Sequence, residues 1–259
     1  MRIATWNVNS VRRRLQRLVN FLDRHQPDIC CLQELKCTAE QFPYDVLERA
    51  GYHAAVAGQK TYNGVAILSR TFPDDIRRGL GDDTDDPQAR LVAAHMDGLR
   101  VMSIYVPNGA TVGSETFSYK LDWLGRLRAM LDAHHDPGER LVICGDTNVI
   151  RDGADAENPA AWAETVLAVP PVREAFDRLL DWGLVDVFRQ QHPGGHLYSW
   201  WDYRNLGFPR NDGLRLDHVL ATQTVAADCS AAFADRDERK GTTDDKPSDH
   251  CPVVVDFDM

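Results

Sequence analysis

LVICGDTN, residues 141–148, is a short apolar run that stops on a carboxylate. Leu141, Val142, Ile143 and Cys144 suit a buried strand. A carboxylate cannot be buried cheaply in such a run, so the strand must end where Asp146 meets water, a cation or a partner. Working outward, the pattern recurs. DICCLQE (28–34) runs into Glu34, LRLD (214–217) runs into Asp217, and PSDHCPVVV (247–255) sets Asp249 and His250 just ahead of its apolar run. A lone Asp after a strand is usually a turn residue or a helix cap. Several strand ends that carry only carboxylates, an amide and a histidine point instead to one shared site. Converging carboxylates repel one another unless a cation stands between them. Oxygen ligands select Mg²⁺, Mn²⁺ or Ca²⁺ over zinc. Asn148 lies two residues past Asp146, so along an extended strand the two side chains would face the same way.

Other apolar, β-branched runs mark strands at Arg2–Val8, Asp28–Leu32, Gly64–Ser69, Arg90–Met96, Arg100–Tyr105, Arg140–Cys144, Arg215–Ala221 and Pro252–Phe257. Helical periodicity fills three gaps between them. Val11–His25 spaces Val11, Leu15, Leu18 and Leu22 along one face; Thr116–His134 does the same with Leu121, Leu124, Leu127 and Leu131; Val172–Trp182 is the third. Several strands follow one another with no helix between, which disfavours a simple alternating parallel sheet. The expected class is α/β (α+β), with two packed sheets and helices outside. Long polar loops fall at Gly79–Gln88, Asp152–Pro171 and Gln190–Gly213, where function commonly resides.

The 259 residues carry a formal net charge of −10, from 39 acidic and 29 basic residues. That balance argues against a protein that coats nucleic acid indiscriminately, but it permits a local basic face around an acidic site. Arg12, Arg13, Arg14 and Arg17 form one basic cluster; Arg204, Arg210 and Arg215 form another. The run Asp82, Asp83, Asp85, Asp86 reads as a solvated loop. The six cysteines contain no CxxC pair, which fits reduced, buried thiols rather than a zinc site or a disulfide framework. MRIATWNVNS has no apolar signal core, and no apolar stretch is long enough to cross a bilayer. A cytoplasmic protein without a membrane partner is expected.

WNVNS, LQELK, GVAILS, YVPNG, GDTN, SWWDYR, LRLDHVLA and KPSDHCPV occur in that order from Trp6 to Val253. Any one block is weak; together they make the chain similar to the exonuclease III branch of the endonuclease/exonuclease/phosphatase superfamily. The resemblance implies a four-layer α/β sandwich of two central sheets flanked by helices. Asn7 and His250, at opposite ends of the chain, would serve one site, so residues 1–259 should form a single domain.

The resemblance also implies roles. Glu34 matches the main metal ligand, Asp249 an acid at or beside the metal, and Asn7 the amide that orients metal and water. Asp146 matches the residue that aligns or deprotonates the attacking water. Asn148 matches a donor to a phosphate oxygen. Asp217 matches the partner of His250, which contacts the scissile phosphate as base, acid or fixed donor. Tyr105 matches a tyrosine near the phosphate, as donor or phenolate. Trp200, Trp201 and Leu214 match apolar walls for an extrahelical sugar. GQKTYNG (58–64) resembles a DNA-contacting loop, with Lys60 available to a phosphate. Arg204 and Arg210 are further phosphate contacts. The implied activity is Mg²⁺-dependent hydrolysis, with Mn²⁺ as a substitute. The implied partner is double-stranded DNA bearing an abasic site or a 3′ end, acted on by a monomer.

The loop DAENPAAWAETVLAVPP (155–171) departs from the family, which is generally more polar there. Leu167 and Val169 either narrow the pocket or pack, and this bears on abasic-site cleavage more than on nuclease activity. Two other readings remain. One is a phosphatase of the same superfamily acting on a small or lipid phosphate, which SWWDYR disfavours. The other is an inactive DNA-binding module, which has little use for converging acids.

Overall fold

A computed structural model describes residues 1–204, 206–242 and 245–259. The strands are β1 (Arg2–Asn7), β2 (Ile29–Gln33), β3 (His53–Ala57), β4 (Val65–Ser69), β5 (Asp74–Arg78), β6 (Leu91–Met96), β7 (Leu99–Tyr105), β8 (Leu141–Asp146), β9 (Leu184–Asp186), β10 (Asp217–Thr222), β11 (Cys229–Ala234) and β12 (Val253–Phe257). They form two six-stranded sheets, ordered β11-β12-β1-β2-β4-β3 and β5-β6-β7-β8-β10-β9. Both are mixed: β1 pairs β2 in parallel and β7 pairs β8 in parallel, while the other pairings are antiparallel. The helices are α1 (Leu15–His25), α2 (Tyr44–Arg49), α3 (Glu115–His134), α4 (Pro159–Trp162), α5 (Pro170–Asp181), α6 (Val187–Gln191), α7 (Gly207–Arg210) and α8 (Gln223–Ala226).

Strand alternation divides the apolar residues into three cores. Ile3, Cys31, Ile67, Val101, Val142, Val219 and Val255 fill the space between the sheets. Trp6, Cys30, Leu32 and Val254 point the other way, onto Leu18, Phe21 and Leu22 of α1. Met102, Ile143 and Leu220 point outward from the second sheet onto Leu124, Leu127 and Leu131 of α3 and Phe176 of α5. The layers are helix, sheet, sheet, helix. The adjacent pair Cys30–Cys31 is therefore split between two cores, and all six cysteines are free thiols. No helix among the described residues is long and apolar enough to cross a membrane.

The same pairing brings the chemistry together. In the first sheet the carboxyl ends of β1 and β2 lie side by side, next to the amino end of antiparallel β12. In the second, the carboxyl ends of β7 and β8 meet the amino end of β10, with Tyr105 and Asp217 both in register with Asp146. Every strand end that carries a candidate residue thus opens on one end of the sandwich.

Each basic cluster of the sequence loses one member to the interior on folding. Arg215 is 2% exposed and lies under the site, with Nε donating to Asp155 Oδ1 at 2.6 Å and Nη2 paired with Asp186 Oδ2 at 2.7 Å. Arg189 also pairs with Asp155. Arg14 is buried as well and donates to the carbonyls of Asn9 and Pro247. A buried guanidinium needs such partners, so neither side chain is available to a phosphate. The acidic run is only partly solvated, since Asp82 and Asp86 both pair with Arg126.

His218 sits in this buried network against Phe176, with Nδ1 2.8 Å from Thr147 Oγ1. Burial, helped by Arg215, lowers its pKa to about 4, although Asp186 and Asp155 pull it upward. An unfolded histidine titrates near 6.5. Between those values the unfolded chain binds the extra proton. Stability from the neutral imidazole is thus complete above about pH 6.5, is lost as pH falls toward 4, and does not change further below that. The loss is roughly 3 kcal/mol at most. Urea midpoints at about pH 7 and 4.5 should converge in His218→Gln relative to the native chain. Equal drops in both proteins would show that other groups carry the acid sensitivity.

Candidate active site

Asn7 joins the two sheets. Its Nδ2 donates to Glu34 Oε1 and to Asp146 Oδ2, both at 2.9 Å, which uses both amide hydrogens. Glu34 follows β2 in a left-handed conformation, φ 54°, and Lys36 repeats it at φ 53°. The double turn lets Lys36 Nζ reach back to Glu34 Oε2 at 2.7 Å and to Asn9 Oδ1 at 2.6 Å. Tyr105 donates its hydroxyl to Glu34 Oε1 at 3.0 Å, with the Arg90 guanidinium 4.9 Å above its ring. Burial, reinforced by the charges of Glu34 and Asp146, pushes the Tyr105 phenol well up. Of the two forms open from the sequence, the neutral donor is the one this environment favours.

His250 lies between carboxylates of the second sheet. Nδ1 is 2.8 Å from Asp217 Oδ2, and Nε2 is 3.6 Å from Asp146 Oδ2. Burial alone would lower its pKa, but Asp217 and Asp146 outweigh it and raise it to about 10, so the ring is an imidazolium. Burial pushes Asp146 up, and the cationic His250 opposes that without cancelling it. For Asp249 the balance is the reverse: burial pushes upward, but His250 and the amide of Asn9 bring its pKa below the usual value. Asp249 Oδ1 accepts from Asn9 at 2.8 Å and Oδ2 from Trp200 Nε1 at 3.2 Å.

Asn148 does share the cavity with Asp146, but not along an extended strand. β8 ends at Asp146, and Asn148 is left-handed at φ 50°, with its backbone N–H bonded to Asp146 Oδ1 at 3.0 Å. This Asx turn, rather than strand period, aims the side chain. Its Oδ1 accepts from Asn108, and its Nδ2 donates to the Val106 carbonyl, which leaves one amide hydrogen for a ligand.

These groups edge a cavity of about 490 Å³. Glu34, Tyr105, Asp146, Asn148, Asp249 and His250 give it a polar side. Trp162, Val166, Leu167, Trp200 and Leu216 give it an apolar one. Trp162 and Trp200 meet edge to face, centroids 5.9 Å apart. Leu167 therefore lines the pocket, while Val169 packs in the core.

Two expected walls are elsewhere. Trp201 is 0% exposed, packed with Tyr198 and Cys251, and Leu214 is 1% exposed beneath Trp200. Buried in this way, neither can touch a sugar; for Trp201 the reason is that neighbouring residues on an extended segment face opposite ways, and Trp200 takes the cavity side. Leu216 holds the position in the lining that Leu214 was expected to take. Arg204 reaches the cavity rim, paired with Asp202 at 2.8 Å; Lys60 and Arg210 are exposed and lie outside the lining. The motifs alone do not single out Asn9, Lys36 and Asn108, although WNVNS, LQELK and YVPNG contain them. Trp162 carries only the faint signal of an indole in a polar loop.

The family model described as "Endonuclease/Exonuclease/phosphatase family" matches residues 4–250. Exodeoxyribonuclease III of Haemophilus influenzae is 36% identical over 99% of this chain and 100% of its own length. The DNA repair nuclease APEX1 of Danio rerio is 32% identical over 98% of this chain and 81% of its own. Among solved structures, an AP endonuclease from Archaeoglobus fulgidus superposes with TM-score 0.96 at 39% identity, covering 100% of both chains. A 3′-5′ exonuclease, NExo, from Neisseria meningitidis superposes with TM-score 0.94 at 42% identity, again over 100% of both. The 3′ phosphatase NExo from Neisseria, bound to product DNA hairpin, gives TM-score 0.95 at 41% identity, covering 100% of both chains.

Proposed function

This chain belongs to the Endonuclease/Exonuclease/phosphatase family, and from that membership we propose that it hydrolyses phosphodiesters of damaged duplex DNA, preferring 3′ termini to internal abasic sites. It is a DNA-repair nuclease of the exodeoxyribonuclease III and AP endonuclease kind. The observation that carries the chemistry is the meeting of Asn7, Glu34, Tyr105, Asp146 and the Asp217–His250 pair from two sheets at one cavity. The pairing of β1 with β12, from opposite ends of the chain, supports a single domain, and the free thiols fit a reducing compartment such as the cytoplasm; a monomer is the proposed state.

The family depends on a divalent metal, and Mg²⁺ is the proposed ion, with Mn²⁺ as a substitute. Among the described residues no three His, Cys, Asp or Glu side chains make a closed cage. Mg²⁺ keeps several waters and binds through one or two carboxylates plus substrate phosphate, so it needs no such cage. Glu34 would hold it, with Asn7 beside and Asp249 as the further acid. The Lys36 ammonium against Glu34 already marks that carboxylate as a cation partner. When bound, the ion supplies charge stabilisation to the phosphate and the leaving oxygen. Asp146 orients the attacking water and takes its proton, a task suited to a carboxylate whose pKa is raised. His250, fixed by Asp217, donates to the phosphate from Nε2; Tyr105 and the free hydrogen of Asn148 donate alongside. Arg204, Arg210 and Lys60 contact flanking phosphates.

Substrate preference follows from the apolar wall. Leu167 and Trp162 stand beside Trp200 in the cavity wall, where their bulk disfavours an extrahelical sugar with duplex on both sides more than a free 3′ end. The similarity to the Neisseria 3′ phosphatase supports action at 3′ termini, and that to the Archaeoglobus AP endonuclease supports action at abasic sites as well. The native chain should cut a 3′-recessed duplex and an abasic duplex only with metal present, the former faster. Leu167→Gly, which deletes a four-carbon side chain from the wall, should raise abasic cleavage relative to 3′ trimming about tenfold or more, since a single methylene in a pocket already discriminates by about tenfold. An unchanged ratio would leave Leu167 as packing. Activity on neither duplex, but on a soluble phosphate ester, would make the protein a phosphatase.

A further inference from the structure

Lys120 is a buried ammonium that the chemistry above does not use. It lies on α3 in the same stripe as Leu124, Leu127 and Leu131, so it faces the core rather than solvent. It is 0% exposed, and its Nζ donates to three backbone carbonyls: Asn148 at 2.6 Å, Val166 at 2.7 Å and Asn108 at 3.2 Å. An ammonium has three N–H donors, so donors and acceptors match one to one. The acceptors lie on three different segments, and each segment lines the cavity: the turn after β7, the turn after β8, and the loop between α4 and α5. Burial lowers the pKa of Lys120 to about 7, with the charge of Asp146 acting against it, and the protonated form is the one that serves all three carbonyls.

A second observation concerns the lysine stem. A Cβ at Gly109 would stand 3.2 Å from Lys120 Cδ and 3.4 Å from Val166 Cβ. Glycine there, at φ 98°, leaves the passage through which the stem reaches the carbonyls. The carbonyl of Asn148 belongs to the same left-handed residue whose side chain faces the cavity, so the Lys120 contact holds the backbone of that turn.

We propose that Lys120 is a positioning residue that ties the Asn108, Asn148 and Val166 segments into one cavity, setting where Asn148 meets the phosphate and how far Leu167 closes the pocket. The inference rests on the nuclease reading above. It predicts an effect on turnover and on substrate choice, with DNA affinity largely kept, since the exposed phosphate contacts lie elsewhere.

The test uses the full chain and its variants Lys120→Met and Lys120→Arg. Each is assayed for kcat and KM at saturating Mg²⁺ on a 3′-recessed duplex and on an abasic duplex, with urea midpoints measured in parallel. Lys120→Met keeps the stem and loses every donor. Its kcat should fall about tenfold or more while KM stays within about threefold, because small misplacements of reacting groups cost rate steeply. The ratio of abasic to 3′ cleavage should also change. Lys120→Arg should recover part of the lost kcat. A folded Lys120→Met with native kcat and ratio, or with its whole loss in KM, overturns the proposal. If Lys120→Met does not fold, Lys120→Arg decides alone. A planar guanidinium cannot aim at three carbonyls from one point, so kcat should drop at unchanged KM, and native kcat overturns the proposal. A native chain with no metal-dependent cleavage refutes the nuclease reading instead, which keeps the two failures apart.

Discussion

Asp146→Asn lowers the single-turnover rate by about 10²–10⁴, the usual contribution of a positioned acid–base group, while leaving DNA affinity within a few-fold. The expectation comes from how completely the carboxylate is used. Oδ1 accepts the backbone N–H of Asn148 at 3.0 Å, and Oδ2 accepts Asn7 at 2.9 Å and faces His250 at 3.6 Å. An amide keeps the shape but cannot take a proton. It also brings an NH₂ group to one of two positions that already receive a donor, so either Asn7 or the Asn148 turn must rearrange. Exposed phosphate contacts are untouched, so binding persists. Rapid-quench turnover and a binding titration on the same duplex decide the matter. Lost affinity with an intact rate would make Asp146 a binding or folding residue.

Asp217 and His250 behave as a single unit. Each alanine substitution should cost on the order of 10²-fold or more in kcat, as for other preorganised donors to a developing charge. The double mutant should cost little beyond the worse single, since groups that act together lose together. Asp217 is 2.8 Å from Nδ1 and raises the pKa of the ring against the pull of burial. Without it, His250 loses both its orientation and a main source of its charge. Without His250, Asp217 has nothing to orient. Losses in the double mutant equal to the product of the singles would show independent roles.

Much of this architecture was legible in the chain. The strands marked by apolar runs are β1, β2, β4, β6, β7, β8, β10 and β12, and these are the interior strands of the two sheets. The strands that escaped, β3, β5, β9 and β11, are the four edges. An interior strand is covered on both faces and both sides, so its sequence is mostly apolar, with polar residues such as Thr5, Gln33 and Ser103 bonded to one another. An edge strand such as DDIRR in β5 needs no such run, and charge there discourages pairing with other chains. The carboxylates at the strand ends were readable for the same reason: a charge closing a buried run has few places to be.

What the tertiary structure alone decided is direction. Trp200 and Trp201 are equal as residues, yet one lines the cavity and the other is sealed behind it, because the chain alternates and only the pairing of Trp200 with Leu214 and His250 fixes which way it begins. Leu214 is buried behind Trp200 while Leu216, two residues on, reaches the cavity lining, a difference that strand alternation does not predict. Asn148 faces the site through a left-handed turn that no period announces. Lys120 interrupts an apolar stripe and would be taken for a solvated residue. Only the convergence of three loops, distant in sequence, gives its ammonium enough acceptors to stay buried. Local sequence fixes which residues must be buried or capped. Which of them meet across the sandwich depends on pairings between segments far apart in the chain, and no local pattern encodes those.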